Sequence, residues 1–291
     1  MTEETGSPRD LRHSLVGLIA GRGDYPLILA REAVSTHRRR VIAFAFKGET
    51  RAEIGRYVDQ VFWLQVGALQ SLLDSIQDSG VNAVVMAGQI APRHVFSARP
   101  DSRMWSLLEG LPVRNAETIF GAVVREIEKS GVSVLPAWSF MEQHLAEPGI
   151  LSGSEPTAEE WCDIRLAQRV ASALANLDVG QAVAVKAGVV LAVEAFEGTD
   201  AMVRRAGRLA GRRAGGVVVK VAKRSHDVRF DIPVVGRRTI EMLRKWRFSV
   251  LGVEAGRTIL LDKGMLMREA GQKGLKVVGL GMESTGSNDG R

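Results

Sequence analysis

The sequence predicts two α/β domains, the first on a mostly parallel sheet and the second on a mixed one. Three observations lead there. Short β-rich apolar runs alternate with stretches of helical period through the first half, which is the pattern of βαβ units and of a sheet covered on both faces. One Pro/Gly/Ser-rich stretch, Glu147–Glu160 (EPGILSGSEPTAEE), reads as a connector. Beyond it a hairpin signature sits among further strand and helix patterns, so antiparallel pairing enters the second sheet. With 291 residues, 45% of them apolar, either half can bury a core without disulfide or metal staples.

Taken in order, Ser14–Ala20 (SLVGLIA) is a buried strand, followed by a glycine turn and a helix through Val34. Val41–Phe46 and Val61–Leu64 are strands. Leu69, Leu72, Leu73 and Ile76 fall at helical spacing within Gly67–Ser79, and Val81–Met86 returns as a strand. Helices near Ser102–Leu108 and Glu117–Lys129 precede the apolar run Val132–Leu135. The first domain is therefore Rossmann-like and spans 14–147, with 148–160 as linker. Trp161–Leu177 then forms an amphipathic helix. Ala182–Val185 and Val189–Val193 form a hairpin around Lys186-Ala187-Gly188, and Thr199–Arg213 is a basic helix. Strands at Val217–Val221, Ser249–Val253, Thr258–Leu261 and Lys276–Gly279 complete a second domain over 161–281. Residues 1–13 read as a disordered leader and 282–291 as a frayed tail.

Composition removes several classes. The lone Cys162 permits no intrachain disulfide. The leader MTEETGSPRDLRH has three acids and no apolar h-region. No apolar run approaches the ~18–20 residues that span a bilayer, and Ala182–Val193 is broken by Lys186. A cytoplasmic protein is expected, at most peripheral to the inner membrane. Net charge is +6, and His37–Arg40 and Arg204–Arg213 are basic. Aromatics are only 5% and absent from Arg204–Arg213, so no nucleic-acid partner is expected. No zinc spacing, nucleophile elbow or P-loop occurs.

Three constellations carry chemistry. Gly21-Arg22-Gly23-Asp24-Tyr25-Pro26 follows the first strand, and Gly21 and Gly23 at a helix start can cradle an anion. A dinucleotide fingerprint would need glycine in place of Pro26 and an acid where Lys47 follows the second strand. Glu194, Glu197 and Asp200 gather around Gly198 and Thr199 at a strand-to-helix junction, and hard oxygen ligands of this kind suit Mg²⁺. Helix capping by Thr199 and Asp200 is the alternative there. In the third, Lys220 and Lys223 lead to His226-Asp227-Val228-Arg229-Phe230-Asp231. Asp227, Arg229 and Asp231 alternate on a run expected to be extended, where all three would point one way, as in a phosphate and metal site.

GLIAGRGDYP (Gly17–Pro26), LDVGQAVAV (Leu177–Val185), AVEAFEGTDAM (Ala192–Met202), K-x-x-K-x-x-H-D-x-R-F-D-I-P-x-x-G (Lys220–Gly236) and VEAGRTILLD (Val253–Asp262) together resemble the LpxI-type UDP-2,3-diacylglucosamine diphosphatases of lipid A synthesis. The resemblance implies two α/β domains with a lipid substrate held between them. It also implies Mg²⁺-dependent attack of water on the pyrophosphate, Mn²⁺ being an acceptable substitute. The products would be UMP and 2,3-diacylglucosamine 1-phosphate. On this reading Asp227, Asp231, Glu194, Glu197 and Asp200 share metal binding and water activation. Lys220, Lys223 and Arg229 neutralise the diphosphate, and Thr199, His226 and the Gly21–Pro26 turn contact substrate. His226 stands where the family has glutamine, and Ala116-Glu117 where it has paired aspartates. A non-catalytic nucleotide-sugar or lipid-binding protein of the same fold is the alternative, and a homo-oligomer is left open.

Overall fold

A computed structural model describes residues 15–90, 100–211, 215–223 and 227–281. The expected leader and tail, Ser14, His226 and the Arg212-Arg213 end of the basic helix lie outside these residues. The chain divides into two compact units: Met1–Met141 with Asp227–Asp231, and Glu142–His226 with Ile232–Arg291.

In the first unit the elements run β1 (Leu15–Ala20), α1 (Tyr25–Ser35), β2 (Arg40–Phe46), β3 (Gln60–Leu64), α2 (Leu69–Ser79), β4 (Ala83–Ala87), α3 (Ser102–Glu109), α4 (Ala116–Lys129) and β5 (Ser133–Val134). The sheet order is β3-β2-β1-β4-β5 and every pairing is parallel. This is the Rossmann-like arrangement expected from the alternation. Its central strands β1, β2 and β4 are apolar apart from Arg40 at the start of β2, as in a sheet covered by helices, and Leu18, Phe44 and Val84 are wholly buried. The order reverses between β1 and β4, the crevice where open α/β sheets usually take ligands. Asn115 starts α4 by accepting the Thr118 N–H at 2.9 Å, which leaves Ala116 as a plain first-turn residue.

The second unit holds β6 (Gly149–Ser152), α5 (Ala158–Asn176), β7 (Ala182–Lys186), β8 (Val189–Val193), α6 (Thr199–Leu209), β9 (Val217–Lys220), β10 (Val234–Val235), α7 (Arg237–Lys245), β11 (Val250–Glu254), β12 (Ile259–Leu260), α8 (Lys263–Gln272) and β13 (Lys276–Leu280). Six strands form a mixed sheet, β6-β13-β11-β9-β7-β8, and β10 pairs with β12 in parallel. The β7–β8 hairpin is as expected. Asp163 of α5 pins its turn by accepting the N–H groups of Ala187 and Gly188 at 2.8 and 2.7 Å.

Two expectations change here. Residues 148–160 are not a free linker: β6 is an antiparallel edge strand on β13, and Thr157 with Glu160 forms a capping box that opens α5. Pro148 and Gly153 punctuate a strand rather than a tether. Burial acts most strongly, to raise the Glu160 carboxyl, but its bonds to Lys276 at 2.6 Å, to the Thr157 backbone and to Ser249 together outweigh that and hold it below its ordinary range. The basic helix stops at Leu209, where Gly211 takes a left-handed φ of 76°.

Candidate functional site

In the second unit the end of β8, the first turn of α6 and the end of β9 bring three sequence-predicted residues together. Glu194 is buried at 6% exposure, so its carboxylate needs partners. It accepts the Thr199 hydroxyl at 2.7 Å and the Gln181 N–H at 3.3 Å. Lys220, at 8% exposure, donates to the Val234 carbonyl at 3.3 Å and to the Thr199 oxygen at 3.5 Å. A hydroxyl has one proton, and that of Thr199 is committed to Glu194, so toward Lys220 it can only accept. The result is an oriented line, Lys220 to Thr199 to Glu194. Thr199 is thus not the helix N-cap: Gly198 is, at φ 81°, which frees the hydroxyl for Glu194.

Gly180 makes this line possible. A Cβ there would sit 2.1 Å from the Glu194 carbonyl oxygen. Gly180→Ala is therefore expected to displace Glu194 and to destabilise the unit by about 1–3 kcal/mol, the range for forced overpacking, read as a fall in Tm. An unchanged Tm would mean that the backbone at Glu194 yields without cost.

The remaining acids do not converge on Glu194. Glu197 binds Arg205 at 2.5 Å, and this hydrogen bond holds its carboxyl below the ordinary range. Asp200 pairs with Arg238 at 2.6 Å, and Lys223 pairs with Asp178. Among the described residues no group of three or more His, Cys, Asp or Glu side chains could hold a metal ion. Within the second unit, Glu197 and Asp200 of the expected ligand set are each held by an arginine, and Glu194 by Thr199 and the Gln181 amide.

Asp227, Arg229 and Asp231 fall in the first unit and are not extended. The Asp227 side chain accepts the Arg229 N–H at 3.0 Å, and its carbonyl accepts those of Phe230 and Asp231 at 3.2 and 3.0 Å. An aspartate that captures the amide two residues ahead makes a turn. The alternation that suggested a strand is thus overridden locally. Arg229 grips Asp227 through Nε at 2.8 Å and a terminal nitrogen at 2.6 Å, and reaches Glu128 of α4 at 2.6 Å. The bond to Asp227 and then that to Glu128 push the guanidinium above its ordinary value. Arg229, expected to face a diphosphate, is here the clamp on Asp227. Phe230 packs on the first unit's core and stands 5.9 Å from Phe120, and Ala137 donates to the Val228 carbonyl at 2.8 Å.

At the end of β1 the glycine turn differs from a simple phosphate cradle. The N–H groups of Gly21 and Arg22 are donated to Ala87 and Gln89, both at 2.7 Å. A Cβ on Gly21 would meet the Gln89 backbone at 2.7 Å, so close strand approach accounts for this glycine. Gly23, at φ 99°, remains beside the start of α1, where Arg51 holds Asp24.

Sequence reasoning assigned no role to Glu254 and Arg257. Glu254, buried at the end of β11, accepts the Ala222 N–H at 2.7 Å, and Arg257 spans from Glu254 at 3.3 Å to the Lys223 carbonyl at 2.6 Å. Together they fix the stretch between Lys220 and Lys223. An acid closing an apolar strand was the available signal.

Comparison with known proteins adds three findings. A family model described as the LpxI N-terminal domain matches residues 15–144, and one described as the LpxI C-terminal domain matches residues 147–278. The UDP-2,3-diacylglucosamine pyrophosphatase LpxI of Caulobacter vibrioides is 31% identical over 282 residues, covering 91% of this chain and 97% of that protein. Among solved structures, the biotin carboxylase domain of 2-oxoglutarate carboxylase from Hydrogenobacter thermophilus aligns at 14% identity and a TM-score of 0.27, over 60% of this chain and 35% of that one.

Proposed function

The chain belongs to the LpxI family through both of its halves, and on that premise we propose that it hydrolyses UDP-2,3-diacylglucosamine to UMP and 2,3-diacylglucosamine 1-phosphate in lipid A biosynthesis. The observation that carries the reading is the likeness to a UDP-2,3-diacylglucosamine pyrophosphatase over nearly the full length of both proteins. Cleavage of a phosphoanhydride depends on neutralising charge on the phosphoryl oxygens and on orienting a water, more than on covalent chemistry. Lys220 supplies a fixed positive charge, aimed by a threonine that can only accept from it. Two of its three N–H donors are engaged among the described residues, so one remains for a phosphoryl oxygen. Asp227, held in a turn by Arg229, is the carboxylate assigned to the attacking water.

No step is routed through a cation here. Mg²⁺ or Mn²⁺ belongs to the proposal as an ion brought with the diphosphate, which needs only one or two protein carboxylates in addition. A cytoplasmic site of action belongs to the same proposal, since the substrate carries its own acyl anchors; no described helix is long and apolar enough to cross a membrane.

The test is UMP release from UDP-2,3-diacylglucosamine in nonionic micelles, with EDTA and with Mg²⁺ restored. UMP is expected to form, to stop on chelation and to return with Mg²⁺. Full turnover after exhaustive chelation would remove the cation and leave the hydrolase. Tight lipid binding with no UMP under any condition would replace the enzyme by a carrier.

A further inference from the structure

The outward faces of α6 and α7 are cationic beyond what their own acids neutralise. The two helices pack together, with Gly207 of α6 lying against the Trp246 ring just after α7. The inward positions, Met202, Val203 and Ala206 on one helix and Ile240 and Leu243 on the other, are buried in one core. Outward, Glu197, Asp200 and Glu241 are each taken by Arg205, Arg238 and Arg237 respectively. Arg204, Arg208, Arg244 and Lys245 remain exposed and no ion pair among the described residues engages them, although the Glu269 carboxylate of α8 feels the Arg244 charge at longer range. Beside Arg208, Leu209 ends α6 with 63% of its surface in solvent.

Excess cations on two packed helices, with one exposed apolar side chain at the end of α6, match the pattern of a helix pair lying on an anionic lipid surface. We propose that this α6–α7 face docks the protein on anionic lipid headgroups, with Leu209 entering the headgroup boundary. The inference rests on the reading that the substrate carries two acyl chains and so resides in a bilayer. A nucleic acid is the less suitable occupant, because Trp246, the aromatic nearest these cations in sequence, is turned into the contact with Gly207 instead of standing out as a stacking platform.

The test is co-sedimentation of the full chain with vesicles of equal parts phosphatidylcholine and phosphatidylglycerol, without substrate, so that it does not depend on hydrolysis. The variant combines Arg204→Gln, Arg208→Gln, Arg244→Gln and Lys245→Gln. Each cation near an anionic leaflet is worth roughly fivefold in partitioning, so the variant is expected to bind at least about a hundredfold more weakly. Wild-type binding should also weaken with added salt, and Leu209→Ser should weaken it at constant charge. UMP release in nonionic micelles should be unchanged in both variants while release from vesicle-borne substrate falls. Equal partitioning of wild type and fourfold variant, equal binding to pure phosphatidylcholine, or preferential capture of RNA over vesicles would each overturn the proposal. Should no UMP form anywhere, the hydrolase reading fails alone and sedimentation still decides the surface.

Discussion

Asp227→Ala is expected to fold, to bind UDP-2,3-diacylglucosamine and to turn it over at least about a hundredfold more slowly, the usual contribution of a positioned acid–base group. The loss should appear in kcat, because a carboxylate that orients water acts in the transition state more than in the ground state. Folding should survive because Arg229 retains Glu128 and Phe230 retains the first unit's core. The structure supplies a finer control. Asp227 also shapes its turn by accepting the Arg229 amide, and an asparagine oxygen can accept that amide too. Asp227→Asn should therefore restore the turn without the charge, and kcat should stay low. Recovery of wild-type kcat in Asp227→Asn would reduce Asp227 to a turn former and move the water-orienting role to Asp231.

Lys220→Met should have the second largest effect. The methionine fills the volume of the lysine stem and the Thr199 hydroxyl still donates to Glu194, while the Val234 carbonyl and the Thr199 oxygen each lose a donor. The expected stability cost is about 1–2 kcal/mol, the net worth of two long hydrogen bonds. Catalysis should fall about 10²–10³-fold, as when one preorganised donor to a developing oxyanion is removed. Lys220→Arg should rescue poorly, because a planar fork does not occupy the place of a compact ammonium. A large fall in Tm with unchanged kcat/KM would make Lys220 a strut between β9 and Thr199 and no more.

Where period and partner were both local, the sequence was readable. Residues 15–87 alternate apolar strands with helices whose inward positions are spaced at three and four, and the parallel sheet follows from that alone. The hairpin of β7 and β8 was equally plain from its turn. α7 was not read, because Ile240 and Leu243 are its only two buried residues among nine and five of the other seven are charged. Residues 227–231 misled in the opposite way: an alternating Asp-x-Arg-x-Asp copies the period of a strand, yet a side chain captured the backbone first. Of the candidate site, Glu194, Thr199 and Lys220 were named and do come together. Their order along a hydrogen-bonded line, and the Glu254–Arg257 brace, depend on strands far apart in sequence, so no spacing could announce them.

The short turn holding Phe230 also has a consequence for synthesis. Domains generally fold in order as they leave the ribosome. Here the five-stranded sheet has its last strand by Val134, but its core also takes Phe230, and Arg229 reaches Glu128 only from that turn. About a hundred further residues must be translated before the first unit can be completed. In the interval Phe120 and its apolar neighbours lack this cover, so the nascent chain passes through a stage open to chaperones and proteases that the finished protein does not revisit.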